Sequence, residues 1–439
     1  MYKFEKMLLT FEFVLLYSMD RKRKDFTKVL SLTRKPSNVG GIILNEGAIE
    51  MKKRILALAL SAAMALSLAA CSGGGDASGS GSGSDSGSGS NSGETKKVGL
   101  SMPTQSLERW NRDGSYLDEQ FKSAGYETII TYSDNDTNRQ VSDIQNMIAE
   151  GVDLLVVAAI DGEALNTVMN EAGEAGIPVI AYDRLIMNDN VSYYVSFDNY
   201  TVGTLQGQYI VDALDLENAA GPFNIELTAG DPADNNAGYF FQGAMDVLQP
   251  YMDSGKLNVV SGQTDFDAVA TDKWDTSTAL DRAQTVLASY YADGTQVDAW
   301  LCSNDSTALG VAQAIESDYT GSNQPIITGQ DGDEANLKNI VDGKQSMTVY
   351  KAVANEAVVT LDLGKAILNG ETVDGSLIEN AGWEFDCSYD TESYSTSEGH
   401  NCPSFLLVPD VVTKDNMVEK LVDTGYYTQD ADGYLHPAA

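Results

Sequence analysis

The sequence predicts an α/β protein of two doubly wound, Rossmann-like halves, and three observations lead there. Short apolar runs alternate with longer amphipathic stretches from Lys97 to Leu368. Several of those stretches stop at a glycine (Gly125, Gly151, Gly176) and feed directly into the next apolar run, the signature of a βαβ unit. Polar residues gather where the apolar runs end, which in an open parallel sheet is the edge where ligands sit.

Taken in order, Val98 to Met102 reads as a strand and Leu107 to Ala124 as a helix closed by Gly125. Glu127 to Tyr132 is a strand, Val141 to Ala149 a helix, and Asp153 to Ile160 a strand. Helix Ala164 to Ala175 leads to strand Ile177 to Tyr182, and a second apolar stretch, Val191 to Phe197, ends in Asp198-Asn199. The alternation then restarts. Helices Val202 to Leu214, Ala237 to Leu248, Ala279 to Tyr291, Ala308 to Ile315 and Ala335 to Val341 interleave with strands Phe223 to Thr228, Leu257 to Val260, Val297 to Cys302, Ile326 to Gly329 and Ser346 to Tyr350. Helix Ala352 to Leu368 follows.

The stretch Val179 to Asn199 anchors the functional reading. Its first strand stops abruptly at Asp183-Arg184, an acceptor beside a fixed five-donor fork, placed where a small polar ligand belongs. Similar clusters end the other strands: Pro103 to Trp110, Asp231 to Asn236, Trp274 between Lys273 and Asp275, Ser303-Asn304-Asp305, Gln330 to Asp333, and Lys351. Each alone reads as helix-cap or turn chemistry, and for Asp305 and Asp333 that reading is preferred. Together they put two tryptophans, several carboxylates and amides, and three cations at one rim. Indole faces take the apolar C–H faces of a sugar ring while planar polar groups take its hydroxyls in pairs.

Composition narrows the function class. The chain of 439 residues carries 28 Lys+Arg against 64 Asp+Glu, a net charge of −36. Its first seventy residues hold 12 basic and 6 acidic side chains, so the remainder carries a net of −42. Such a surface repels nucleic acid and anionic lipid. Four cysteines and two histidines show no zinc spacing, and nothing calls for a metal or a cofactor. No run after Cys71 is long and apolar enough to span a bilayer.

Residues 51–70 read as a secretory leader: Lys52, Lys53 and Arg54, an apolar run, then Leu68-Ala69-Ala70 before Cys71. That ending resembles a bacterial lipobox, which implies lipidation at Cys71 and an extracytoplasmic, membrane-anchored protein. A leader must come first, so residues 1–50 are expected to be an upstream extension from a wrongly chosen start; Asn45 to Ala48 can be encoded by a purine-rich tract of the ribosome-binding kind. Residues 71–95, rich in Gly and Ser, are expected to form a flexible tether.

The motifs LERW (107–110), IAYDRLI (180–186), SFDN (196–199), GPFNIEL (221–227), DNNA (234–237), SGQ (261–263), SND (303–305), GQD (329–331) and MTVYK (347–351) follow in order along the chain. In them the sequence resembles the periplasmic sugar-binding proteins of ABC importers, of type I periplasmic-binding fold, and most of all their xylose- and multiple-aldose-binding members. The resemblance implies two domains joined by three crossovers, near Asn199, Lys351 and Phe405 to Pro409, closing on one monosaccharide. The N-terminal domain would comprise 96–198 with 352–405, and the C-terminal domain 199–351 with 406–439. Carried over residue by residue, the sugar contacts would be Arg109, Trp110, Asp183, Arg184, Asp234, Asn236, Trp274, Asn304, Asp331 and Lys351. The implied partners are a sugar, an ABC permease and its ATPase, with the protein a monomer. One departure is an acidic insertion, Glu384 to Pro403, beside the third crossover.

Two rival readings share these residues. A secreted glycosidase would use a carboxylate pair such as Asp183 with Asp331, and a sensory module would present bound sugar to a membrane receptor. Asp134 to Asn138 opens like a calcium loop but lacks its sixth-position Gly and twelfth-position Glu, so helix capping is the expectation. Outside a reducing compartment, Cys387 and Cys402 are expected to form a disulfide and Cys302 to be a buried thiol.

Overall fold

The computed structural model describes residues 95–438. Cys71, the expected leader 51–70, residues 1–50 and all but the last residue of the expected tether lie outside the described residues.

A seven-stranded sheet comes first. Strands β1 (Lys97–Met102), β2 (Glu127–Tyr132), β3 (Leu154–Val157), β4 (Val179–Tyr182) and β5 (Val191–Phe197) lie parallel, and β14 (Ser404–Leu407) joins them from far along the chain. With β11 (Cys387–Asp390) at one edge, the sheet order is β11-β14-β5-β4-β3-β1-β2. Helices α1 (Glu108–Ser123), α2 (Thr137–Ala149), α3 (Asn166–Glu174) and α10 (Val353–Leu368) flank it. Strands β3 and β4 are buried along their whole length, as a parallel sheet covered on both faces requires.

The second half repeats the pattern. A parallel sheet of order β7-β6-β8-β9 uses Leu257–Val259, Phe223–Thr228, Ala299–Cys302 and Ile326–Ile327. Around it are α4 (Asn199–Ala213), α5 (Asn235–Asp253), α6 (Phe266–Val269), α7 (Thr276–Tyr290), α8 (Asp305–Asp318) and α9 (Glu334–Asp342). An antiparallel ribbon of β10 (Met347–Tyr350) and β15 (Asp410–Thr413) continues it through a bridge between Gln330 and Val349. The chain passes between the sheets after β5, after β10 and after β14.

Four helices, α2, α4, α7 and α8, begin about a turn earlier than their apolar pattern suggests. Asp136 caps α2 by accepting from Asn138 and Arg139, Asp198 caps α4 through Thr201, Asp275 caps α7 through Thr278, and Asn304 caps α8 in a capping box with Thr307. The first turn after such a cap is polar, so the apolar stripe starts late. The Asp134 to Asn138 segment is thus a helix entry.

The insertion is ordered in an unexpected way. After α11 (Ser376–Ala381), β11 (Cys387–Asp390) adds an antiparallel edge strand to the first sheet, and β12 (Ser395–Ser397) pairs with β13 (His400–Asn401). Tyr394 sits between Tyr194 of β5 and Tyr239 of α5, with ring centroids 5.0 and 5.3 Å away, so it touches both halves. The expected disulfide is absent: Cys387, Cys402 and Cys302 are free thiols. The β11–β14 register pairs Cys387 with Leu407, five residues beyond Cys402. At the rise of a strand that is about 16 Å, far beyond the Cα separation a disulfide tolerates. Cys302 is buried, as expected. The C-terminal segment forms a hairpin of β16 (Tyr427–Gln429) and β17 (Leu435–Pro437), packed with α9 and β10 in one apolar cluster.

Candidate functional site

Parallel packing brings the carboxyl ends of the strands of both sheets face to face around one cavity. Nine of the ten expected residues line it: Arg109, Trp110, Asp183, Arg184, Asp234, Trp274, Asn304, Asp331 and Lys351.

The centre is a shared ion network. Arg109 Nη1 lies 3.0 Å from Asp183 Oδ1 and 3.3 Å from Asp331 Oδ1, while its Nη2 is 2.9 Å from Asp113. Lys351 Nζ donates to Asp183 Oδ1 at 2.8 Å and lies 3.6 Å from Asp331. Burial alone would raise the pKa of Asp183, but Arg109, Lys351 and Arg184 outweigh it and hold the carboxyl below its ordinary range. Asp234 goes the other way: burial raises it, and Arg184 at 3.0 Å only partly compensates. That contact is an ion pair and not a hydrogen bond, since the Arg184 Nε–H has no aligned acceptor.

The aromatic side chains come from both halves. Trp110 lies under two guanidinium groups, Arg109 at 4.4 Å and Arg184 at 5.0 Å from its ring centroid, in cation–π range. Trp274 donates its indole N–H to Asp234 Oδ2 at 3.2 Å and meets Phe240 edge to face. A side chain on Gly230 would collide with the Trp274 ring, so that glycine makes room for the indole. Asn304 caps α8 with Oδ1 and reaches Asp331 Oδ2 with Nδ2 at 3.4 Å, serving helix and cavity together.

Three lining residues, Asp183 (φ 57°), Trp274 (φ 57°) and Asp331 (φ 105°), adopt left-handed backbone conformations. Non-glycine residues tolerate this only where the surroundings over-determine them, and such strain concentrates at functional sites. At Asp183 the surroundings are visible. Its carbonyl accepts from Asn236 Nδ2 at 2.6 Å, Tyr194 Oη at 2.7 Å and Ser196 Oγ at 2.9 Å.

That geometry also relocates Asn236. Its Nδ2 donates to the Asp183 carbonyl and its Oδ1 lies 2.9 Å from the Tyr194 hydroxyl, so it stands behind the cavity and holds Asp183 in place. Leu107 and Gln330, inside the LERW and GQD motifs, also line the cavity although they were not among the expected contacts, and sequence reasoning missed Ser306 and Phe240. Ser306 had a signal, since it follows the SND motif; Phe240 looked like one more core position of a helix.

Behind the network lies Glu356 of α10, fully buried, with no hydrogen bond to either carboxyl oxygen and its nearest cation, Arg109, 3.8 Å away. Burial, then Asp183 and Asp113, push its pKa well above the ordinary value.

The match to a family model for the periplasmic binding protein domain spans residues 98–372, well over half of the chain. The chain belongs to the periplasmic binding protein family. It is 43% identical over 337 residues to the multiple sugar-binding periplasmic receptor ChvE of Rhizobium radiobacter, covering 76% of this chain and 91% of that one. It is 34% identical over 333 residues to the D-xylose-binding periplasmic protein of Escherichia coli, covering 76% and 91%. Among solved structures, an ABC transporter solute-binding protein of Clostridium phytofermentans with bound β-D-glucose superposes with a TM-score of 0.71 at 50% identity, covering 76% and 99%. These relatives are sugar-binding receptors and the family, of type I fold, is one of non-enzymatic solute-binding proteins, which removes the glycosidase reading.

Proposed function

We propose that this chain captures a neutral aldose, a pentose or hexose, by closure of its two lobes and delivers it to an ABC permease and its ATPase. In this reading it acts as a monomer held to the outer face of the membrane by lipid on Cys71. The lobes would be 96–198 with 352–405 and 199–351 with 406–439.

One observation carries the reading: a cavity to which each half contributes an indole and both signs of charge. A ligand that touches both lobes favours the closed arrangement over the open one, which is what a capture protein requires. The lining charges cancel, with Arg109, Arg184 and Lys351 facing Asp183, Asp234 and Asp331. Paired carboxylates and cations bond hydroxyls as acceptors and donors, while no lining cation is left over for an anionic group. A neutral sugar fits this balance better than a uronate does. The glucose and xylose named for the relatives are of the same class.

The test is calorimetric titration of the protein with xylose, arabinose, glucose, galactose and glucuronate. At least one neutral aldose is expected to bind saturably and more tightly than glucuronate. Absence of binding to every neutral aldose refutes the reading.

A further inference from the structure

A second cation of α1, Arg112, crosses to the other half without lining the cavity. Its Nη1 donates to the Gly332 carbonyl at 3.3 Å and to the Tyr427 hydroxyl. Its Nη2 donates to the Asp331 carbonyl at 3.3 Å and to Asp333 Oδ1 at 3.2 Å. One turn earlier, Glu108 accepts the Glu334 backbone N–H at 3.1 Å, so a carboxylate from the first half meets the amino end of α9 in the second. The receiving loop is fixed from below. Asp305 Oδ2 accepts the Gly332 and Asp333 N–H groups at 2.9 Å each, and Thr348 Oγ1 donates to the same oxygen.

Asp331 links this contact to the cavity. Its side chain faces Arg109 and Asn304 inside, while its carbonyl takes Arg112 outside. We infer that Arg112, with Glu108 and Tyr427, is a latch that sets sugar affinity by holding the lobes closed, and that Arg112 is a positioning residue touching no sugar. The inference rests on the reading of the cavity as a sugar site. Apart from an ion pair with Glu108 of its own helix at 3.7 Å, the Arg112 guanidinium makes its hydrogen bonds to the second lobe, so these bonds form only when the lobes meet. Apparent affinity scales with the fraction of protein in the competent state. A latch therefore multiplies affinity for every sugar by one factor, whereas a residue that reads the sugar changes their ranking.

The experiment titrates wild type and Arg112→Ala with the five sugars above and measures dissociation rates by stopped flow. Affinity for each binding sugar should fall by one common factor, about ten- to a hundredfold, the scale of losing hydrogen bonds to a charge. Dissociation should quicken, the ranking of sugars should persist, and the sugar-free melting temperature should stay at the wild-type value. Tyr427→Phe and Glu108→Gln should shift all sugars the same way by less, and they carry the test if Arg112→Ala does not fold. Wild-type affinity in the folded variants, or a changed ranking, overturns the latch. A wild type that binds no sugar overturns the reading of the cavity and the latch with it.

Discussion

Asp183→Asn isolates the network at the centre of the cavity. Asn keeps the shape and the strained backbone but removes the charge that Arg109 meets at 3.0 Å and Lys351 at 2.8 Å. Lys351 then depends on Asp331 at 3.6 Å, while Arg109 keeps Asp113 at 2.9 Å and Asp331 at 3.3 Å. A hydrogen bond to a charged group contributes about 1.5–3 kcal/mol. A sugar hydroxyl that loses the carboxylate for an amide should therefore bind roughly ten- to 150-fold more weakly. Stability should fall as well, because half of a buried pair is gone and the cations stay buried. The sign follows from the lowered pKa of Asp183. Its contribution is present above the unfolded carboxyl pKa of about 4 and is lost as pH falls through the lower folded value. The gap in melting temperature between wild type and variant should thus hold at neutral pH and close in strong acid. Calorimetric titration at pH 7 with the best neutral aldose, and melting curves from pH 7 downward, measure both. Unchanged sugar affinity would show that Asp183 is no ligand, and a gap that widens in acid would refute the electrostatic account.

Other expectations follow from the same geometry. Trp274→Ala should weaken sugar binding about five- to 150-fold, taking the roughly 1–3 kcal/mol of base–aromatic stacking as the scale for an indole on a sugar face; wild-type affinity by calorimetry would remove the stacking role. Glu356→Gln should flatten the dependence of stability on pH. The raised pKa means that the stability Glu356 contributes is present below the unfolded pKa of about 4.3 and is lost as pH rises through the folded value. Wild type should lose up to about 1.4 kcal/mol per pH unit across that interval, and urea unfolding with equal slopes in both proteins would contradict it. Thiol titration of secreted, unreduced protein after unfolding should find Cys302, Cys387 and Cys402 all reactive. In the native state, burial pushes Cys387 and Cys402 up to about 12, so alkylation should be slow. Finally, Cys71→Ala should abolish partitioning into detergent in a bacterium with lipoprotein processing; equal partitioning of the two proteins would remove the lipid anchor.

Much of the site was legible because parallel topology is. Once helices that stop at Gly125, Gly151 and Gly176 feed apolar strands, right-handed crossovers place every strand's carboxyl end on one edge. Asp183, Arg184, Asn304, Asp331 and Lys351 could then be gathered from positions far apart in sequence. The caps were local too: Asp136, Asp234 and Asn304 lie next to the N–H groups they satisfy. What the tertiary structure alone decided are pairings between remote segments. Arg109 meets Asp331 across 222 residues and Lys351 meets Asp183 across 168, and no local pattern says which carboxylates share which cation. Asn236 turned from expected ligand to support because Tyr194 and the Asp183 carbonyl reach it first. Phe240 sits on a helix whose apolar spacing made it indistinguishable from core, and nothing local marks Glu356 as a buried charge. The cysteines failed as a pair because strand register, set by the β11–β14 ladder, fixes their separation, and nearness in sequence does not.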